Sequence, residues 1–231
     1  NANVVQRFFV GNTLIQLDGS LFYTYFTNKI IPDYETNPNQ IIYDNLQGHS
    51  VSKGMSLNMD VKLPFGLTAL VGATLMEVHS EENGIKERQL FSERFTGTWN
   101  LTYSLTKWKI KLDYTGNVYS PMRLPLLNDL DPRPEFSPWW SIQNIQLTKS
   151  IGKSWEIYGG VKNLLNWTPN KGIPFLIARA NDPFDQNVQF DANNQVIANS
   201  NNPYALTFDP SYMYAPNQGI RGFLGVRFTV R

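Results

Sequence analysis

The feature that most constrains the fold of this chain is a period-two alternation of apolar and polar residues. In residues 50–63, apolar side chains occupy every second position except Lys53, and polar residues or glycine occupy the positions between. The pattern recurs, strictly or loosely, in residues 15–25, 67–78, 94–105, 107–118, 139–151, 155–163 and 220–230. Because successive side chains of a β-strand point to opposite faces, the sequence predicts about eight two-faced strands.

The predicted strands and their connections fit a membrane barrel better than a soluble sheet. Most strands are near the roughly ten residues needed to cross a bilayer obliquely. Short turns alternate with long connections, as tight periplasmic turns alternate with extracellular loops in outer-membrane barrels. Residues 4–10 read as the end of an earlier descending strand. The predicted fold class is therefore all-β, the C-terminal part of an antiparallel transmembrane β-barrel.

The polar face carries too many charges for a packed protein core, which predicts a wet lumen. These charges are Asp18, Asp60, Lys62, Lys109, Lys111, Asp113, Glu156, Lys162, Arg221 and Arg227. Eight strands closed on themselves leave only enough interior for side chains, so we expect a larger barrel than this chain supplies. Aromatic residues on apolar faces near the short turns predict a periplasmic girdle of Tyr103, Trp108, Trp155 and Phe228.

Composition and motifs exclude several classes of function. The net charge is +1 and no run of Lys or Arg follows a phosphate backbone, so no nucleic-acid binding is expected. The chain has no cysteine, no apolar run of the roughly 20 residues that a spanning helix needs, and no signal-peptide pattern at its start. No nucleophile elbow or metal-binding histidine pair occurs, so we expect no enzyme.

Four stretches resemble a known family. They are Leu21-Phe22-Tyr23-Thr24-Tyr25-Phe26-Thr27-Asn28-Lys29-Ile30, then Asn45-Leu46-Gln47-Gly48 with Gly54, then Gly159-Gly160-Val161-Lys162-Asn163-Leu164-Leu165-Asn166, and Tyr212-Met213-Tyr214-Ala215-Pro216-Asn217-Gln218-Gly219-Ile220-Arg221-Gly222. Together they resemble the C-terminal barrel of TonB-dependent receptors, particularly those of Bacteroidetes. The chain departs from that family in ending on Val230-Arg231 where an aromatic residue is usual.

The resemblance implies a 22-stranded barrel in the outer membrane with a plugged lumen. Residues 1–231 would form one incomplete domain, about eight strands plus the end of a ninth. It further implies active uptake of a scarce solute such as an iron chelate, haem or cobalamin. The implied partners are the cargo, membrane lipid and lipopolysaccharide, and the TonB complex through an N-terminal part that this chain lacks.

Candidate cargo contacts combine cationic and aromatic character, which suits anionic or aromatic solutes. They are Arg123, Arg133, Trp139, Trp140, Arg179, Tyr212 and Tyr214. The two tryptophans would alternatively form the extracellular aromatic girdle.

Oxygen-bearing residues in the longest loop suit a structural Ca²⁺, although they lack EF-hand spacing. The ligand candidates are Asp182, Asp185, Asn187 and Asp191. His49 and His79 are the only imidazoles and are expected to be loop surface residues rather than metal ligands.

Two alternatives remain open at this point. A passive porin would need neither plug nor TonB, and an upstream plug domain would separate the two cases. A soluble or secreted β-rich binding module would have to pack its apolar faces against each other.

Overall fold

The structure is a computed structural model that describes residues 1–33, 42–126, 131, 133–169, 188–193, 195–205 and 213–230. The strands within these residues are β1 (Ala2–Val10), β2 (Thr13–Phe26), β3 (Ile30–Asp33), β4 (Ile42–Asn45), β5 (Gly48–Lys62), β6 (Leu67–Glu82), β7 (Ile85–Arg88), β8 (Phe95–Leu105), β9 (Ile110–Tyr119), β10 (Trp140–Ile151), β11 (Trp155–Lys162), β12 (Gln189–Phe190), β13 (Val196–Ile197) and β14 (Arg221–Phe228). One turn of 3₁₀ helix, Thr106–Trp108, joins β8 to β9. No helix among the described residues is long and apolar enough to cross a membrane.

The long strands form one antiparallel meander in the order β1-β2-β5-β6-β8-β9-β10-β11-β14, and β7 adds to β6. Short turns join β1 to β2, β5 to β6, β8 to β9 and β10 to β11, whereas the other connections of the meander are long. The short turns therefore share one end of the sheet, here named the short-turn end, and the long connections share the long-loop end. The predicted all-β architecture and its alternating connections are confirmed. The sheet is open, with β1 and β14 at its edges.

The strand register gives the sheet one apolar and one polar face. Met55 of β5 lies opposite Leu21 of β2 and Leu75 of β6, so apolar positions of neighbouring strands adjoin. On this apolar face Leu57 is 51% exposed and Leu224 is 80% exposed. Among the described residues no second layer covers these side chains, in contrast to the packed faces that a soluble module would need.

Aromatic side chains cover glycines of the neighbouring strands. The ring of Trp99 lies over Gly116 on the apolar face, where an added Cβ would come within 2.3 Å of Trp99 Cζ2. Phe22 covers Gly54 on the polar face, where the corresponding approach to Phe22 Cζ is 2.5 Å. Gly116 interrupts the apolar alternation of β9 because a neighbour's ring occupies its place.

The prediction of a strand over residues 107–118 was wrong at its start. Residues 106–108 form the 3₁₀ turn, and Lys109 ends it in the left-handed region at φ 51°. Lys109 therefore belongs to the turn and not to the polar face, where we had expected it. The other predicted lumen charges in β2, β5, β9, β11 and β14 do share the polar face.

Aromatic residues gather at the short-turn end as predicted. Tyr103 and Trp108 line one hollow there together with Phe65. Trp155 packs against Phe228 with ring centroids 4.7 Å apart.

The long connections carry hairpins of their own, which the alternation had not predicted. β3 pairs with β4, β7 turns back on β6, and β12 pairs with β13. Asn83 and Gly84 form the turn before β7, and both have positive φ, 51° and 77°. This is the residue pair that two-residue hairpins favour.

Candidate functional site

Buried side chains at the long-loop end hold the connections onto the sheet. Met122, Leu124 and Trp140 form a cluster in which Leu124 is only 1% exposed. The partly buried side chains packed against it are Phe91, Tyr119, Leu126, Ile142, Trp167, Tyr214 and Ala215. Because these residues come from five separate stretches of the chain, the cluster fixes the loops relative to each other.

A cavity of about 640 Å³ opens at the same end, between three of these connections. We name it the loop cavity. Its charged lining residues are Lys29, Asp33, Asp44, Glu82, Glu87, Arg88 and Arg123. Phe91 and Leu90 add apolar wall. A concave surface with a few convergent polar groups is the usual form of a small-molecule site.

The basic groups of the loop cavity are engaged by protein partners. Lys29 Nζ donates to Gln89 Oε1 at 2.6 Å, and burial lowers the pKa of this lysine. Arg88 donates to the carbonyl oxygens of Ser92 and Pro121 at 2.5 and 2.9 Å.

Arg123 is the sequence-predicted cargo contact that does line the loop cavity. Its guanidinium pairs with Glu87 at 3.1 Å and with Glu135 at 3.3 Å. The ion pair with Glu87 links the β7 hairpin to the connection after β9. Arg123 therefore stabilises the wall of the loop cavity and also gives it positive charge.

Arg133 is buried, in contrast to the accessible position that cargo contact requires. Its side chain is 1% exposed, and its Nη2 lies 2.6 Å from Asp131 Oδ2. Two further bonds run from Nε to the same carboxylate. A bidentate pair of this kind is a strong, directional interaction that holds a loop.

The adjacent tryptophans lie on opposite faces. Trp139 is 58% exposed on the apolar face, and its ring centroid lies 6.0 Å from that of Phe95. Trp140 is 8% exposed and stacks between Tyr119 at 4.2 Å and Trp167 at 5.2 Å. Both faces of the Trp140 ring are thus covered by protein.

Tyr214 extends the same group of rings, with its centroid 6.1 Å from Trp167. We name Tyr119, Trp140, Trp167 and Tyr214 the aromatic stack. Burial raises the pKa of the Tyr214 hydroxyl. The predicted contacts Arg179 and Tyr212 lie outside the described residues.

The Asp191 side chain stabilises the β12–β13 turn. Its Oδ1 accepts hydrogen bonds from the backbone N–H groups of Asn193 and Gln195, both at 2.8 Å. The other predicted Ca²⁺ ligands, Asp182, Asp185 and Asn187, lie outside the described residues. Over the described ranges, no three His, Asp or Glu side chains converge on a metal position.

The expectation that the two histidines lie in loops was wrong, because His49 lies in β5 and His79 in the neighbouring strand β6, on one face of the sheet. His49 of β5 pairs in register with Glu81 of β6, and its Nε2 is 3.8 Å from that carboxylate. His79 is 8% exposed with its Nδ1 3.6 Å from Glu77. Each imidazole therefore lies beside a carboxylate.

The polar face carries a second, smaller hollow of about 420 Å³ between β8 and β14. Its charged lining residues are Asp113 and Lys162. The Asp113 carboxylate accepts a hydrogen bond from Thr102 at 2.6 Å and pairs with Lys111 at 3.1 Å. Asn144 donates to Thr115 nearby at 3.3 Å. Hydroxyl and amide side chains of this kind suit a wetted surface.

Sequence reasoning missed most of the loop cavity, including Lys29, Glu82, Glu87 and Phe91. The Asn83-Gly84 pair was the available signal, because it predicts the hairpin that brings Glu82 and Glu87 together. No sequence pattern links that hairpin to Arg123 or Lys29.

Comparison with known proteins places the fold in a family. Residues 4–164 match the family model described as TonB dependent receptor-like, beta-barrel. Comparison with curated protein sequences gives no match.

Solved structures share the fold at low identity. The ferric-catecholate import receptor Fiu from E. coli K12 has a TM-score of 0.52 at 14% identity, over 71% of this chain and 23% of that one. The FrpB iron transporter of Neisseria meningitidis has a TM-score of 0.53 at 11% identity, over 98% and 29%. A mutant ferric enterobactin receptor, PfeA from Pseudomonas aeruginosa, has a TM-score of 0.53 at 13% identity, over 97% and 30%.

This chain spans less than a third of the length of each of these solved chains. The family model covers most of the sequence, and the meander, its two faces and its alternating connections agree with it. The chain belongs to the TonB-dependent receptor family, of which it forms a segment of the β-barrel domain.

Proposed function

We propose that this chain forms part of the wall and of the extracellular loops of an outer-membrane receptor that takes up a scarce solute by TonB-dependent transport. The observation that carries the proposal is the two-faced sheet, with an uncovered apolar face suited to lipid and a charged polar face suited to a wet lumen. The short-turn end would then be periplasmic and the long-loop end extracellular.

The loop cavity is the proposed cargo surface of this segment, with Arg123, Glu87 and Phe91 as its central residues. Iron chelates are the first cargo class to test, with haem and cobalamin as the other candidates. The titles of the similar solved structures name a ferric-catecholate import receptor, an iron transporter and a ferric enterobactin receptor.

Lipid and TonB are the proposed partners. Lys53 and Lys86 both lie 3.3 Å from Glu77, directly beyond the apolar band of β5 and β6, at the level expected for lipopolysaccharide headgroups. The TonB complex would act through a part of the receptor outside this chain.

The test is solute accumulation by cells that carry the full-length receptor, against cells in which its gene is deleted. The probes are radiolabelled iron as a tricatecholate and as a trihydroxamate, haem, and cobalamin, each with and without a protonophore. We expect one probe to accumulate in a receptor-dependent way and the protonophore to abolish that accumulation.

Receptor-dependent entry that persists with the protonophore would instead favour the passive porin. If no probe enters in a receptor-dependent way, these cargo classes are wrong.

A further inference from the structure

Asn163 directly follows β11, at the start of the longest connection of the chain. It is 3% exposed and adopts φ 53°, in the left-handed region. Asparagine tolerates this conformation better than other residues that carry a side chain. The backbone N–H of Asn163 donates to Asn144 Oδ1 of β10 at 3.1 Å, which ties the residue to the sheet.

The side-chain amide of Asn163 connects both ends of that connection. Its Nδ2 donates to the carbonyl oxygen of Trp167 at 2.7 Å and to that of Gln218 at 2.9 Å. Its Oδ1 accepts the N–H of Trp167 at 3.0 Å. Trp167 lies at the start of the connection, whereas Gln218, 55 residues after Asn163, lies at its end.

Asn166 makes a second link at the same place. It too has a positive φ, 48°, and its N–H donates to the carbonyl oxygen of Asn163 at 2.8 Å. Its Oδ1 accepts the N–H of Ile220, just before β14, at 2.9 Å. Gly219 permits the approach, since a Cβ there would lie 2.6 Å from Asn166 Oδ1.

The segment held by these amides is also the one that supplies the aromatic stack. Trp167 follows Asn163 by four residues and packs on Trp140 at 5.2 Å. Tyr214 enters the stack from the other end of the connection, four residues before Gln218. The two asparagines and the two rings therefore join the start and the end of the connection to the rim of the sheet.

We propose that Asn163 is a positioning residue that closes the base of the connection between β11 and β14 and thereby holds the aromatic stack at the long-loop end of the sheet. A buried amide with both donors and its acceptor used leaves three backbone groups without partners when it is removed. A positioning effect on cargo affinity would follow, and that consequence alone rests on the proposed function.

The test is amide hydrogen exchange, resolved by residue, on the full-length receptor in its folded state. The variant Asn163→Gly keeps the left-handed backbone but removes the amide. The matched control is Asn83→Gly, the same substitution at another asparagine with positive φ, 51°, which lies in the β6–β7 turn. We expect Asn163→Gly to speed exchange by about tenfold or more, both at Trp167 and in residues 213–220.

The protection of β11 and β14 should stay unchanged in both variants, because the register from Val161 to Gly222 does not involve the amide. Faster exchange at Trp167 alone would overturn the proposal, since Asn163 would then cap a local turn. Unchanged exchange at both ends would overturn it as well.

A second variant covers the case in which Asn163→Gly fails to assemble. Asn166→Gly keeps the left-handed backbone and removes only the bond to Ile220, so we expect faster exchange at Ile220 with Trp167 still protected. Loss of the heat-modifiable folded barrel in the Asn163 variant, with normal folding of the Asn166 variant, would make Asn163 a barrel-folding residue and overturn the proposal. No readout uses cargo, so failure here leaves the uptake proposal standing.

Discussion

At the scale of single residues, the pairing of Trp99 with Gly116 is the sharpest packing constraint on the apolar face. A Cβ at position 116 would meet three ring atoms of Trp99 within 3.0 Å. We expect Gly116→Val to lower the free energy of unfolding by about 1–3 kcal/mol, because the ring must leave its place. Urea unfolding of the folded receptor in lipid measures this.

Gly19 provides the matched control, since it also lies on the apolar face and a Cβ there would meet nothing within 4 Å. Gly19→Ala should therefore leave the unfolding free energy close to that of the wild type. In a Trp99→Ala background, Gly116→Val should cost much less than in the wild type. An equal cost in both backgrounds would mean that the ring is not the obstacle.

At the scale of the strand, a lysine should affect stability differently at two neighbouring positions of β5, because they lie on opposite faces of the sheet. Leu57 lies in the middle of the apolar face and Asn58 on the polar face. Leu57→Lys should cost about 2–4 kcal/mol of folding free energy, the penalty for a cation at the lipid midplane. Asn58→Lys should cost little, because it adds a charge to a wetted face. The unfolding free energies of both variants in lipid vesicles test this, and equal costs would contradict the assignment of the faces.

At the β8–β9 turn, substitutions of Lys109 distinguish the observed turn from the predicted strand. Its left-handed conformation costs an L-residue about 1–2 kcal/mol, so Lys109→Gly should stabilise the fold by up to about 1 kcal/mol. Lys109→Val should destabilise it, because a β-branched residue tolerates positive φ poorly. If Lys109 were in a strand the order would reverse, since valine favours strands and glycine weakens them.

Most of the elements could be predicted from the sequence because a face that meets lipid must be apolar at every second residue. The start of β9 could not, because Lys107, Trp108 and Lys109 continue the alternation by chance through a turn. The β7 hairpin was predictable from Asn83-Gly84, whereas β3 and β4 carry no such signal. Charged and polar residues in loops follow no simple period, so these strands could not be predicted from alternation.

At the scale of the whole molecule, the candidate site depends on contacts that no local pattern records. Arg123 meets Glu87 only because β6, β7 and the connection after β9 are assembled at one end of the sheet. The cationic and aromatic composition of the connections did indicate Arg123. It could not show that Arg133 would be paired internally or that Trp140 would be enclosed by other rings.

The charge network around the loop cavity should respond to removal of Glu87. Glu87→Gln removes the negative charge that pairs with Arg123 and keeps the shape of the side chain at position 87. The cavity therefore becomes more positive. We expect an anionic ferric tricatecholate to bind the full-length receptor more tightly by a few-fold, in line with modest energies of partly exposed ion pairs. Equilibrium binding at low and at high salt measures this, and high salt should reduce the gain.

A conservative control is Glu135→Gln, which removes a second carboxylate partner of Arg123 at a residue outside the lining of the loop cavity. If both variants bind the tricatecholate as the wild type does, Arg123 is not part of the cargo surface.

If the chain is part of a transmembrane barrel, the two ends of the sheet lie on opposite sides of the outer membrane. The chain contains no cysteine, so single cysteines can be introduced without background from it. Asn83 and Asn12 form a matched pair, because both are exposed asparagines in tight turns, one at the long-loop end and one at the short-turn end. The measurement is labelling of Asn83→Cys and Asn12→Cys in the full-length receptor by a membrane-impermeant maleimide. We expect Asn83→Cys to be labelled on intact cells and Asn12→Cys only after the outer membrane is permeabilised; equal labelling of both on intact cells would contradict the transmembrane orientation.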